Sequence, residues 1–172
     1  MPSQDMVLGL YYITKELPST PDHKVPGEGS IFYGPEEVRI AYNEKKVHLN
    51  AKIKCRVDVD GQGTMKIVDT TVGRVMFNQV VPKDYGYINM LLTKKALRDI
   101  IGDVLIKCGN KSCTQFLDDI MSLGYRMAYE GGMSFNLGDV IVPAEKPKLI
   151  AEANAQVDEI TMNYNMGFIT NT

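Results

Sequence analysis

Apolar and polar side chains alternate between Lys52 and Asp60, which predicts a strand with one buried face. Asp60-Gly61-Gln62-Gly63 is a turn sequence, and the alternation resumes at Met65 and Ile67, so the pattern predicts a hairpin. The stretch 72–81 is rich in β-branched residues and interrupted by Gly73, and it predicts a further strand with a bulge.

Elsewhere the apolar positions recur at helical spacing. Residues 2–15 predict a helix with Ser3 as its cap, and a short helix is expected from Pro35 to about Lys45. After Pro82 the chain predicts two consecutive helices, one capped by Thr93 and ending at Gly109, the next running from about residue 112 to Gly131.

The C-terminal part predicts a short extended piece at 138–142 and then a helix that begins near Pro143 or Pro147. Its apolar residues are spaced 3, 4, 3, 4, as in the seam of a coiled coil: Ile150, Ala153, Val157, Ile160 and Tyr164. The whole pattern predicts an α+β fold, with a small antiparallel sheet followed by a helical half and a projecting C-terminal helix. It divides the chain into segments 1–15, 16–82, 83–142 and 143–172.

Composition narrows the class of protein. The chain has 172 residues, 44% of them apolar and 23% charged, which is typical of a folded domain. A formal net charge of −2 argues against a free-standing module that holds nucleic acid by charge alone. The three cysteines lack Cys-x-x-Cys spacing, so no zinc site is predicted. No apolar run approaches the roughly 20 residues of a membrane helix, so no membrane partner is expected.

One pattern resembles a calcium loop. Asp58, Asp60, Gln62 and Gly63, with Asp69 eleven residues after Asp58, follow the spacing of such a loop. The flanks alternate with period two, however, whereas a calcium loop lies between helices. A polar hairpin tip is therefore the preferred interpretation, and calcium binding stays open as an alternative.

A line of polar residues is expected on one face of the helix after residue 112. Lys111, Gln115, Asp118 and Ser122 are spaced 4, 3, 4, which suits either a ligand-binding face or an ordinary solvent-exposed face. The two histidines are far apart and no nucleophile motif accompanies them. The residues alone predict no self-contained active site.

Several motifs in one order carry a resemblance. The run Pro-Ser-Gln-Asp-Met-Val-Leu-Gly-Leu-Tyr-Tyr at 2–12 is followed by Gly-Glu-Gly at 27–29 and Ala-Lys-Ile-Lys at 51–54. Asp-Thr-Thr-Val-Gly-Arg at 69–74, Val-Pro at 81–82 and Gly-Asp-Val-Ile-Val-Pro at 138–143 complete the series. Together they resemble the β′ (largest) subunit of bacterial RNA polymerase over essentially the whole chain.

The resemblance implies a place in transcription. The matching stretch would lie in the pore region that lines the secondary channel and would run into the first rim helix, whose partner helix would follow Thr172. Met1 would then be an added start. The aspartate loop that chelates the catalytic magnesium would precede Pro2, and the zinc cysteines would also lie outside this chain. The intact complex would be a nucleotidyltransferase, while the isolated fragment would be inactive and would hold no cofactor.

The resemblance also implies partners and two sites. The partners would be the β, α and ω subunits, DNA template, RNA, nucleoside triphosphates and factors that bind the rim helix, in the bacterial cytoplasm at the nucleoid. Gln4 would form a wall of the active-centre cavity, with a helix-cap contact as its alternative. Lys111 and Asp118 match the pattern with which some relatives bind guanosine tetraphosphate beside ω. Ser122 replaces an aromatic residue there, so weak or absent binding is expected.

A different class of function is also open. The chain could be an autonomous interaction module that pairs through Ile150, Val157 and Ile160. Such a module would be monodisperse, whereas a polymerase fragment would expose several apolar patches.

Overall fold

The computed structural model describes residues 3–21, 24–134 and 136–170. They belong to two compact units, Met1–Met133 and Ser134–Thr172. The expectations for Met1, Pro2 and Thr172 fall outside the described residues, and the division into four segments stays a prediction.

The first unit contains, in chain order, α1 (Asp5–Thr14), β1 (Ile31–Phe32), α2 (Pro35–Asn43), β2 (Lys52–Asp58), β3 (Met65–Thr71), α3 (Val72–Asn78), a 3₁₀ turn (Lys83–Tyr85) and α4 (Lys94–Glu130). The predicted α+β class is confirmed.

The predicted hairpin is confirmed, with β2 and β3 antiparallel and Lys52 opposite Thr71. The sheet is mixed, however, where a purely antiparallel one was predicted. The two-residue strand β1 pairs parallel to β2, with Ile31 opposite Lys54. The loop before β1 also pairs with β2, since the Gly29 N–H donates to Lys52 O at 2.8 Å. A strand of two residues has no alternation that a sequence pattern can detect.

The strand predicted over 72–81 is wrong, because residues 72–78 form α3. Thr71 caps this helix, its hydroxyl accepting from Arg74 N at 3.2 Å. Val72 and Val75 are buried against the sheet, while Phe77 is buried on the other side of the helix. Tertiary packing on two sides thus overrides the strand preference of the β-branched residues.

Two hydrophobic cores meet at α3. One lies among α1, α3 and α4, where the rings of Phe77 and Phe116 meet edge to face with centroids 6.5 Å apart. The other lies beneath the sheet and is built from the inward residues of β2 together with α2 and α3: Val38, Ile53, Cys55, Val57, Val72 and Val75. Because α3 supplies side chains to both cores, it joins the sheet to the helices.

The two helices predicted after Pro82 are confirmed as the halves of α4. Thr93 caps the first half by accepting from Ala96 N at 3.2 Å. Gly109 interrupts the helix with φ 77° and ψ 173°, and the second half ends at Gly131 as predicted. A positive φ of this kind is easily adopted by glycine.

The second unit contains a 3₁₀ turn (Leu137–Asp139) and α5 (Lys146–Asn165). The extended piece predicted at 138–142 is therefore wrong at its start. Asn136 accepts from Gly138 N while Asp139 accepts from Asn136 N, which closes a turn. Pro147 lies in the first turn of α5, as predicted. In the described part of the chain, no helix is long and apolar enough to cross a membrane.

Candidate functional site

Gln4 lies immediately before α1 with an unusual backbone. Its φ of 49° and ψ of −124° fall in a region that residues with a side chain rarely adopt. Its carbonyl accepts from Val7 N at 3.0 Å and Leu8 N at 3.2 Å, so the main chain starts the helix. The exposed side chain makes no capping hydrogen bond with α1. This removes the helix-cap alternative for the Gln4 amide and shows that Gln4, not Ser3, is the residue before the helix.

The opposite end of α1 is held by side chains from distant parts of the sequence. Asn50 is buried, and its Nδ2 donates to Tyr12 O at 2.7 Å and Lys15 O at 2.8 Å. Arg74 Nε donates to Thr14 O at 3.0 Å. These bonds satisfy carbonyls that a helix leaves without partners where it ends. The end of α1 is therefore tied both to the segment before β2 and to α3.

The middle of α1 touches the second half of α4 with almost no space between the backbones. A Cβ placed on Gly9 would lie 1.9 Å from Gly124 O, and one placed on Gly124 would lie 2.8 Å from Met6 O. Real Cβ atoms essentially never come this close to another heavy atom. The two glycines therefore fix where α1 crosses α4.

The polar line on α4 is partly assembled into a groove. Lys111, Gln115 and Asp118 line a groove of about 890 Å³, while Ser122 is exposed and does not line it. The segment 79–84 also lines the groove, and the sequence analysis did not predict this contact. No signal in the sequence marks it, because nothing local in residues 79–84 indicates a contact with a helix some 30 residues later.

The groove carries an excess of negative charge. Its ionisable side chains are two lysines and three aspartates, a formal net charge of −1: Lys83, Lys111, Asp84, Asp118 and Asp119. Asp119 also accepts a hydrogen bond from Gln115 Nε2 at 3.0 Å. Such a lining disfavours a highly charged anion.

The hairpin tip uses its carboxylates to form the turn. Asp58 accepts from Gly61 N at 3.1 Å and from Gly63 N at 2.9 Å. Asp60 accepts from the Thr64 hydroxyl at 2.6 Å and from Gln62 N at 2.9 Å. The Thr64 hydroxyl, followed by the Gln62 N–H, lowers the pKa of Asp60 to about 2. The preferred interpretation, a polar hairpin tip, is confirmed.

These side chains do not fit a metal ion. Asp69 lies in β3 opposite Lys54, within the paired part of the hairpin. Within residues 3–21, 24–134 and 136–170, no group of three or more His, Cys, Asp or Glu side chains lies close enough together to hold a metal. The three cysteines are free thiols, and burial raises the pKa of Cys55 to about 11, which disfavours a thiolate ligand.

Comparison with known proteins decides the family. The family model RNA polymerase Rpb1, domain 3, matches residues 1–140. The chain belongs to this family. Rpb1 domain 3 here includes α1 with Gln4, the sheet, both halves of α4 and the groove.

Three relatives are β′ subunits of DNA-directed RNA polymerase, from Porphyromonas cangingivalis, Parabacteroides distasonis and Flavobacterium psychrophilum. Each of the three aligns with 99% of this chain, and the sequence identities over the aligned residues are 58%, 55% and 52%. The chain spans only 15%, 12% and 12% of their respective lengths. The resemblance to the β′ subunit is therefore confirmed.

Proposed function

We propose that this Rpb1 domain 3 chain is part of a β′ subunit of DNA-directed RNA polymerase and forms part of the wall of the secondary channel. The observation that carries the proposal is the coverage: β′ subunits match 99% of the chain at 52–58% identity. In the intact complex the activity is that of a nucleotidyltransferase. Its partners are the β, α and ω subunits, DNA template, RNA and nucleoside triphosphates, in the bacterial cytoplasm at the nucleoid.

The chain by itself is expected to be inactive. Nucleotide polymerisation uses two metal ions that clamp the attacking and leaving oxygens, and these ions need available carboxylates. In the part of the chain that the structure describes, no three or more His, Cys, Asp or Glu side chains lie close enough together to hold such an ion. We assign the catalytic magnesium and the structural zinc of the full subunit to residues outside this chain.

Gln4 is the residue of this chain that we place against the nucleotide. Its exposed amide can donate to phosphate or sugar oxygens, and it is not engaged in capping α1. In the intact polymerase, Gln4→Ala is expected to slow nucleotide addition. Gln4→Gly should slow it equally, although glycine relieves the positive φ. If both variants add nucleotides at the normal rate, Gln4 does not contact the nucleotide.

The groove beside Lys111 and Asp118 is proposed to bind guanosine tetraphosphate weakly or not at all. Ser122 offers no aromatic surface to the guanine, and the groove lining has a net negative charge. Tight binding to the intact polymerase that is lost in Lys111→Ala would contradict this proposal.

A hybrid enzyme tests the main proposal. The chain would replace the matching stretch of the P. cangingivalis β′ subunit, and the reconstituted polymerase would be assayed on a promoter template. We expect transcription by the hybrid and no incorporation by the isolated chain on a primed template with magnesium. A hybrid that assembles but cannot transcribe, or an active isolated chain, would overturn the proposal.

The apolar seam of α5 supports two candidate roles. Ile150, Val157 and Ile160 are about half exposed or more on this helix. As part of β′, α5 would be the first rim helix of the secondary channel, where channel-binding factors dock. As an autonomous module, it would pair two copies of the chain. Sedimentation distinguishes them, since only the module forms a discrete dimer that Val157→Glu abolishes.

A further inference from the structure

The geometry of α1 assigns a role to Asn50. We propose that Asn50 is a positioning residue for nucleotide addition, which sets the orientation of α1 and thereby the location of Gln4. This inference rests on the proposed function, because it requires Gln4 to face the nucleotide.

The first step is that α1 is clamped at one end. The two N–H groups of the Asn50 side-chain amide donate to Tyr12 O and Lys15 O. Its main chain is also fixed, since its N–H donates to His48 Nδ1 and its carbonyl accepts from Leu17 N. Asn50 is 4% exposed, so water cannot readily replace these bonds.

The second step is that α1 has a fixed crossing point near its middle. Gly9 lies against Gly124 O with no room for a side chain. Gly9 is five residues from Gln4 and five from Thr14, about 7.5 Å along the axis in each direction. Gly73 lies equally close to Ile13 O, nearer the Asn50 end. The inference requires α1 to tilt about the Gly9 crossing, so that a shift at the Asn50 end moves Gln4 in the opposite direction. A misplacement of about 1 Å is enough to slow a reaction strongly.

The chain provides a matched control in Asn78. Its Nδ2 likewise donates to two carbonyls, Arg74 O at 2.8 Å and Ile88 O at 2.7 Å. Neither carbonyl belongs to α1. Asn50→Asp and Asn78→Asp therefore remove the same kind of hydrogen bonds, and only the first removes hydrogen bonds to carbonyls at the end of α1.

A double-mutant cycle in the intact polymerase tests the inference, with kcat/KM for single-nucleotide addition as the readout. Asn50→Asp is expected to lower it about tenfold in the original background and less than about twofold when Gln4→Ala is present. Asn78→Asp is expected to change it less than about twofold in either background. If Asn50→Asp fails to assemble, Arg74→Met, which removes the bonds to Thr14 O and to Asn89 Oδ1, should show the same dependence on Gln4.

The outcomes separate this inference from the proposed function. If Gln4→Ala alone leaves addition normal, the proposed contact of Gln4 fails and the inference fails with it. If Gln4→Ala slows addition but Asn50→Asp has the same effect in both backgrounds, only the inference is overturned. Equal effects of Asn50→Asp and Asn78→Asp would also overturn it.

Discussion

At the scale of single residues, Asp60 shows how a polar motif can serve structure instead of chemistry. The spacing of Asp58, Asp60 and Gln62 suits a metal loop, yet the carboxylates close the hairpin turn. The period-two flanks were enough to predict this. The oxygen partners were not predictable, because they depend on main-chain N–H groups that converge only once the turn has formed.

The stability of the hairpin is expected to depend on pH through Asp60. Its folded pKa of about 2 lies below the usual value of about 3.9, so its contribution is present above about pH 4 and is lost as the pH falls towards 2. Asp60→Asn removes this titration. Urea unfolding of both proteins should show the original chain more stable at pH 7, with the difference shrinking at pH 2.5.

Thr64→Val provides a second test, because it removes the hydroxyl that contributes most to the low pKa of Asp60. This variant should show a smaller pH dependence than the original chain. A difference between the original chain and Asp60→Asn that is the same at both pH values would contradict the assigned role of Asp60.

At the scale of elements, the sequence predicted those with long, regular patterns and failed where packing decides. The hairpin, both halves of α4 and the start of α5 agree with the apolar spacing. The stretch 72–78 does not, since Val72, Val75 and Phe77 are held as a helix by contacts with two cores. The hydrogen bonds from Asn50 to the end of α1 could not be predicted from the sequence either, because Asn50 lies 35 residues or more from the carbonyls that it binds.

The crossing of α1 and α4 yields a prediction about two glycines. Gly9→Ala places its Cβ against the main chain of Gly124, which cannot move aside as a flexible side chain can, so a loss of about 2 kcal/mol or more is expected. Gly102→Ala, in the first half of α4, meets nothing within 4 Å and should stabilise the protein by up to about 1 kcal/mol.

Chemical denaturation measures both changes. The two substitutions are the same in chemistry and both lie within helices, so their opposite signs isolate the close approach of the backbones. A Gly9→Ala protein as stable as the original would show that α1 can shift away from Gly124, and it would also remove the pivot on which the role of Asn50 depends.

At the scale of the molecule, the first unit leaves large apolar side chains on its surface. Ile67 on β3 is 63% exposed and Ile106 on α4 is 83% exposed. Contiguous apolar patches are typical of regions that contact other proteins, whereas single exposed apolar side chains are common on any protein surface. The sequence predicted exposed apolar patches only through the resemblance to β′, because an exposed isoleucine and a buried one look alike in a hydrophobic pattern.

We expect these side chains to make the isolated chain self-associate. The double substitution Ile67→Thr with Ile106→Lys should lower association and dye binding while changing the free energy of unfolding by less than about 0.5 kcal/mol, because neither side chain is in a core and threonine suits a strand position opposite Arg56. Ile53→Lys, at a position only 1% exposed in β2, should instead unfold the protein. Sedimentation velocity and urea titration of the three proteins separate surface from core effects. If the double variant associates as strongly as the original chain, Ile67 and Ile106 do not drive this self-association.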